Sequence, residues 1–219
     1  MKIIAMGDIH ERTGGFNILE KEISSADLVI ITGDLTQFGN KEKAAMVIYS
    51  VKGINPNILA QVGNLDSLEI DAFLTRKGVN IHGSGRIIEG VGVFGCGGSG
   101  YTPFRTPVEF SEDELKTFLE NGYRDVCDSP VKILICHTPP VNTKVDMIKS
   151  GAHVGSKAVR KFIEKHQPDL CITGHIHEAS GEDIIGKTKV LNPGPFYEGG
   201  YVVINVEKGK AEAELRYYT

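Results

Sequence analysis

Asp8 and His10 stand two residues apart just past an apolar run, and His175 and His177 repeat the spacing with two imidazoles. In extended backbone, residues i and i+2 share a side. Each pair can therefore offer two donors to one divalent ion. Asp34, Asn64 and His137 each stand alone at the end of an apolar run of their own. Two carboxylates, four neutral imidazoles and one amide oxygen carry a formal charge of about −2. Two divalent ions would bring it to about +2, and a hydroxide to about +1. Such a centre attracts phosphate. Mixed nitrogen and oxygen donors suit Mn, Fe, Zn, Co or Ni better than Ca or Mg.

The runs that deliver these side chains read as buried strands: 2–6 before Asp8, 28–32 before Asp34, 57–62 before Asn64, 132–136 before His137 and 170–173 before His175. Open α/β sheets bind ligands at the carboxyl ends of their strands. Glycine precedes Asp8, Asp34, Asn64 and His175, and reads as the residue that lets the chain turn as it leaves the sheet. Between the runs, helical spacing predicts helices over 16–25, 41–51, 66–77 and 156–166. A further helix opens at the capping box Ser111 to Glu114. This alternation predicts a parallel sheet with right-handed crossovers. From 79 to 96 the pattern changes to short strands, 79–81, 86–89 and 91–94, broken by glycines. The tail predicts three more, at 188–191, 201–206 and 211–217. One domain over 1–219, with two related halves, is the economical reading.

Residues 95–107 read as a mobile loop. Its Gly97-Gly98-Ser99-Gly100 lacks the Gly-Lys-Ser/Thr ending of a phosphate-cradling P-loop. The formal net charge of −4 over 219 residues argues against a binder of long nucleic acid, which needs a basic track. The four cysteines form no C-x-x-C pair, and Cys136 and Cys171 lie inside apolar runs, where a thiol acts as a small hydrophobe. A reducing, cytoplasmic setting is expected. No run is long enough to span a membrane, and the first residues carry no signal-peptide pattern.

Taken in order, Asp8-x-His10, Gly33-Asp34, Gly63-Asn64-Leu65-Asp66, His137 and Gly174-His175-x-His177 resemble the five motifs of the calcineurin-like metallophosphoesterases. The resemblance implies an α/β fold, a four-layer αββα sandwich of two mixed sheets flanked by helices. It implies two divalent transition-metal ions (Mn, Fe, Zn, Ni or Co), one held by Asp8, His10 and His177, the other by Asn64, His137 and His175, with Asp34 bridging both. It further implies a bridging water or hydroxide that attacks phosphorus in line, acidified by a metal pair about 3.5–4 Å apart.

The sequence departs from that pattern at Leu65, where the family usually has a histidine that helps the leaving oxygen, oriented by the following acid. Leucine can do neither. General-acid help is worth ~10²–10⁴-fold, so turnover of poor leaving groups is expected to be slow, and a phosphodiester is favoured over a phosphomonoester. Asp66 is left either as part of the catalytic group or as the cap of the helix beside it. His153, between glycines, and His82 are the candidate substitutes for the missing acid, whereas His166 reads as a helix-end residue. The expected partner is a phosphorylated small molecule or a nucleotide-like phosphodiester, with neither long nucleic acid nor membrane, and with a homo-oligomer open. The competing reading is a metal-binding but weakly active or inactive scaffold of the same fold, as in the retromer subunit. Seven competent ligand positions argue against it.

Overall fold

The computed structural model describes residues 1–219. In chain order the elements are β1 (Lys2–Met6), α1 (Gly14–Ile18), α2 (Glu20–Ser24), β2 (Leu28–Ile31), α3 (Lys41–Ile54), β3 (Ile58–Ala60), α4 (Leu68–Arg76), β4 (Gly85–Ile88) and β5 (Val91–Cys96). There follow α5 (Glu112–Val126), β6 (Val131–Cys136), α6 (Lys157–His166), β7 (Leu170–Ile172), β8 (Gly181–Ile185), β9 (Thr188–Asn192), β10 (Gly200–Glu207) and β11 (Lys210–Tyr217).

The strands form two mixed sheets, ordered β11-β10-β1-β2-β3 and β4-β5-β6-β7-β9-β8. The expected parallel pairing holds inside each: β1, β2 and β3 run parallel, as do β5, β6, β7 and β9. What the alternation did not predict is the antiparallel margin on each sheet, made by β10 and β11 on one and by β4 and β8 on the other.

Alternation along the strands explains the layers. Ile3 and Ala5, with Leu28 and Ile30, face the second sheet and pack with Val93, Ile133, Ile135 and Ile172. Their neighbours Ile4 and Met6, with Val29 and Ile31, face outward onto helices through Val47, Ile48, Ile70 and Phe73. On the far side, Phe94, Leu134 and Cys171 meet Leu115, Leu119, Val159 and Phe162 of α5 and α6. Strands covered on both faces must be apolar throughout, which is why these runs are continuous rather than alternating. The result is the expected four-layer αββα sandwich of two mixed sheets flanked by helices. Between the sheets, Gln61 Nε2 donates to the carbonyls of Thr32 and Cys96, at 3.2 Å each, tying the two at their carboxyl ends.

Several local expectations are corrected. The helix expected over 16–25 is two short helices that part at Leu19. Val79 to Ile81 makes only an isolated bridge to Ala60. The α4 helix is capped by the Ser67 side chain, not by Asp66. The 95–107 segment is strapped rather than loose: Gly98 N donates to Val62 O, Ser99 N to Val108 O, Phe110 N to Ser99 O and Val108 N to Asn64 O. No helix is long and apolar enough to cross a membrane.

Candidate metal centre

Five strands from two sheets end at one place. Asp8 follows β1, Asp34 follows β2, Asn64 lies beyond β3, His137 follows β6 and His175 lies beyond β7. The backbone there is unusual. Asp8, His10, Asp34 and His175 have φ of 50°, 47°, 48° and 66°, the left-handed region that side chains rarely adopt. Non-glycine residues held there collect at functional sites, where the surrounding structure over-determines them. Here it does: Asp8 N donates to Gly33 O, and Ile9 N and His10 N both donate to Asp34 O, zipping the first two motif loops together.

The glycines act otherwise than their sequence position suggested. Of the four that precede ligands, only Gly33 takes a positive φ. At Gly63 a methyl group would collide with Asp34 Oδ1, and at Gly174 with Asp8 Oδ2. Their role there is close approach of one loop to another, while Asp8, His10, Asp34 and His175 themselves take the left-handed conformation.

The donor atoms converge on two points. Asp8, His10 and His177 bring one donor each within 4.8 Å of one another, and Asp8, Asp34 and His137 do the same. In the first group His10 Nε2 and His177 Nε2 face each other at 3.3 Å, with His177 Nε2 3.2 Å from Asp8 Oδ1. Beside the second, Asn64 Oδ1 lies 2.7 Å from His175 Nδ1 and 3.1 Å from His137 Nε2. Asp34 spans both: Oδ2 is 3.9 Å from His10 Nε2 and Oδ1 is 3.6 Å from His137 Nε2. Mixed imidazole, carboxylate and amide donors, aimed inward from rigid strand ends, fit a pair of divalent transition-metal ions.

Hydrogen bonds behind the donors set their orientation, as partners of metal ligands commonly do. His10 Nδ1 lies 3.4 Å from Thr36 O and His137 Nδ1 lies 3.3 Å from Thr32 O, so in the neutral ring Nδ1 carries the hydrogen and Nε2 is free to ligate. Asp8 accepts from His175 N, and Asp34 Oδ1 accepts from Leu65 N at 2.8 Å. Asn64 Nδ2 donates to Thr106 Oγ1, which in turn donates to Glu109 Oε1 at 2.7 Å.

The cluster's charges are strongly coupled. Burial disfavours the Asp8 anion, yet the hydrogen bond from His177 and the charges of three histidines bring its carboxyl down to about 2. Burial pulls His137 down, but the Asp34 charge and hydrogen bond raise it to about 9. His175 goes the other way, to about 4, through burial and repulsion from His137. His10 is lowered by burial, while His177 is raised because its hydrogen bond to Asp8 and the aspartate charges outweigh burial.

Asp66 is fully buried and does not line the cluster. Its Oδ2 accepts from Leu35 N and Gly63 N, and its Oδ1 accepts from Thr36 N and Thr36 Oγ1, at 2.8–3.1 Å. Burial, with Asp34 repulsion added, pushes this carboxyl up to about 7 against the pull of those donors. Three of the four partners are backbone N–H groups that can only donate, a geometry that suits the carboxylate. Asp66 thus joins the Asp34 loop to the Asn64 loop, which is a positioning task and not helix capping.

His153 makes none of the cluster's contacts. Its Nδ1 lies 2.7 Å from Oδ1 of the buried Asp146, which also accepts from Thr143 N and Gly155 N. Its neighbour Val154 lines the cavity beside the cluster. His82 is packed between Phe110 and Phe118, accepts from Gly97 N, and is lowered by burial, so it is a structural residue and no substitute acid. His166 packs on Tyr123 and Phe162 at the end of α6, as expected of a helix-end residue. Sequence reasoning missed two supporting side chains, Thr106 and Glu109, and explained Asn192 by turn chemistry alone although its turn could approach the site. Asn192 Nδ2 donates to the carbonyl of Ile176, between the last two histidines. The only sequence signal for it was its place before Pro193-Gly194-Pro195.

The family model described as calcineurin-like phosphoesterase matches residues 1–179, and the chain belongs to that family. An uncharacterized protein of Methanocaldococcus jannaschii is 35% identical over 202 residues, covering 89% of this chain and 88% of its own. Among solved structures, TT1561 of Thermus thermophilus aligns with a TM-score of 0.73 at 19% identity, over 97% of both chains. The purple acid phosphatase PPD1 of yellow lupin seeds aligns with a TM-score of 0.65 at 11% identity, over 99% of this chain and 51% of that one. At such identities these two structures speak to the fold.

Proposed function

We propose that this protein hydrolyses phosphoesters with two divalent transition-metal ions, and prefers phosphodiesters of phosphorylated small molecules or nucleotide-like compounds. The observation that supports this most is the convergence of seven donors from the strand ends of both sheets, next to an open cavity of about 750 Å³. Asp8, His10 and His177 would hold one ion, Asn64, His137 and His175 the other, and Asp34 would contribute to both. When bound, the ions supply charge for the phosphoryl oxygens and acidify a water for attack on phosphorus.

The remaining roles fall to the chain itself. Asp66 holds the two motif loops in register. Leu65 lines the cavity where the family's histidine would stand, and it offers no proton to a leaving oxygen. This favours diesters with good leaving groups. His153, oriented by Asp146 at Nδ1 and adjacent to the cavity-lining Val154, is proposed to return a proton to the leaving oxygen, although it makes no contact with the cluster itself. The cytoplasmic setting belongs to the same reading.

Protein reconstituted in turn with Mn, Fe, Ni, Co and Zn should hydrolyse bis(p-nitrophenyl) phosphate faster than p-nitrophenyl phosphate. Hydrolysis of neither, with any metal, overturns the proposal. An unchanged pH profile for His153→Gln on a diester with an alkyl leaving group removes the role given to His153.

A further inference from the structure

The cavity beside the metal centre has a one-sided chemistry. Its polar floor is part of the candidate ligand set, Asp34, Asn64 and the two histidines of the last motif. Its walls carry Phe38, Leu65, Tyr101, Phe104 and Val154, and no lysine or arginine lines it. The nearby Arg105 is on the same loop as Phe104 but not in the wall, and Arg12 is stacked on Tyr197 at 4.0 Å.

The three aromatic rings are 64% (Phe38), 75% (Tyr101) and 82% (Phe104) exposed, yet their backbones are fixed. Phe38 has a φ of 56°, and its N–H donates to Leu65 O. The Tyr101–Phe104 loop is clamped by Glu109, whose Oε1 accepts from Thr102 Oγ1, Thr106 N and Thr106 Oγ1. Through Thr106 the clamp continues to Asn64. Exposed rings on strapped backbone, on two loops flanking one centre, form a stacking surface that is ready before any ligand arrives. Preorganised contact area of this kind contributes to affinity rather than being offset by ordering.

The geometry points to a substrate with a single phosphodiester charge and one flat aromatic arm of nucleobase size. This rests on the phosphoesterase reading and names its substrate class. About 750 Å³ lies in the range of cavities that enclose a drug-sized ligand and exceeds what a phosphoryl group alone needs. The absence of cationic side chains leaves a second phosphate unpaired in an apolar wall, which disfavours polyanions. Aromatic rings take a planar arm by stacking, to which an alkyl arm contributes less.

The test uses stable ligands with one head group and different arms, titrated calorimetrically into the manganese-loaded protein. They are methylphosphinates whose phosphorus carries a phenyl, 5′-deoxythymidin-5′-yl, ethyl or decyl group through carbon, leaving no ester bond to cleave, and the thymidine compound carrying a 3′-phosphate. The phenyl and thymidine arms should bind about tenfold or more tighter than ethyl, the scale of one stacked base. The added 3′-phosphate should weaken binding, and Phe104→Ala and Tyr101→Ala should erase the aromatic advantage, read as the ratio of phenyl to ethyl affinity within each variant. Both side chains are exposed, so the variants should fold. Equal affinity for phenyl and ethyl overturns the inference. So does decyl binding tighter than phenyl, which would indicate a lipid-like arm, or tighter binding of the 3′-phosphate. Because affinity is read directly, these outcomes are separate from failure to hydrolyse any ester, which would overturn the phosphoesterase reading instead.

Discussion

The amide nitrogen of Asn64 donates to the hydroxyl of Thr106 at 3.1 Å, and that bond decides which end of the amide faces His137 and His175. An asparagine can ligate a metal only through its oxygen. Thr106 therefore sets which atom of this candidate ligand an ion would meet. Thr106→Val should lower the affinity of one of the two ions by about 10–100-fold and leave the other near its normal value. Thr106→Ser should restore it. Stepwise metal titration reads the difference, and parallel loss of both ions would contradict it.

Asp34 turns one oxygen toward His10 and the other toward His137. Asp34→Asn should accordingly cost more activity than either Asn64→Ala or His10→Ala, since it weakens both ions together. The comparison is made in kcat/KM on one diester. Wild-type activity in Asp34→Asn would remove the bridging assignment.

Asp66 takes four buried donors. In Asp66→Leu those donors lose their partners in a site that water does not reach. Each orphaned buried group costs about 1–3 kcal/mol, so a loss of at least about 3 kcal/mol is expected in urea unfolding. Asp66→Asn should fail as well, because one end of its amide would present N–H to N–H. A loss under about 1 kcal/mol in both variants would show that the loops hold their register without this carboxylate.

Metal affinity should rise with pH. Ligation requires neutral imidazole. His137, raised to about 9, carries a proton at neutral pH and must release it, and the upward shift of His177 adds in the same direction. Below about 9, each proton displaced by an ion makes apparent affinity climb by about tenfold per pH unit. Chelator competition at pH 6, 7 and 8 measures the slope. A flat profile would mean that the imidazoles are already neutral.

Much of the centre was legible because burial writes a strong pattern. Strands covered on both faces must be apolar from end to end, so a carboxylate or imidazole at their close stands out, as at Asp34 and His137. The antiparallel margins were less legible. The β8 strand, Gly-Glu-Asp-Ile-Ile, alternates toward solvent at the sheet edge and carries two charges in five residues, which masks it. The supporting side chains were hidden for another reason. Thr106, Glu109 and Asn192 act across the fold on Asn64 and Ile176, and their contacts are set by loop packing that has no period in sequence. Asp66 was visible as a residue but misread in its task, because the adjacent Ser67 meets the capping need.

The left-handed turns at Asp8, His10, Asp34 and His175 are secured by bonds within the protein, none of which needs an ion. Loading and unloading of metal are therefore expected to be exchange reactions on a finished frame. Chelation should strip the ions while circular dichroism stays constant, and one purified batch can be refilled with different metals in sequence. Which ion the protein carries in its host is then a matter of supply and donor preference at the time of filling, and not of how the chain folded.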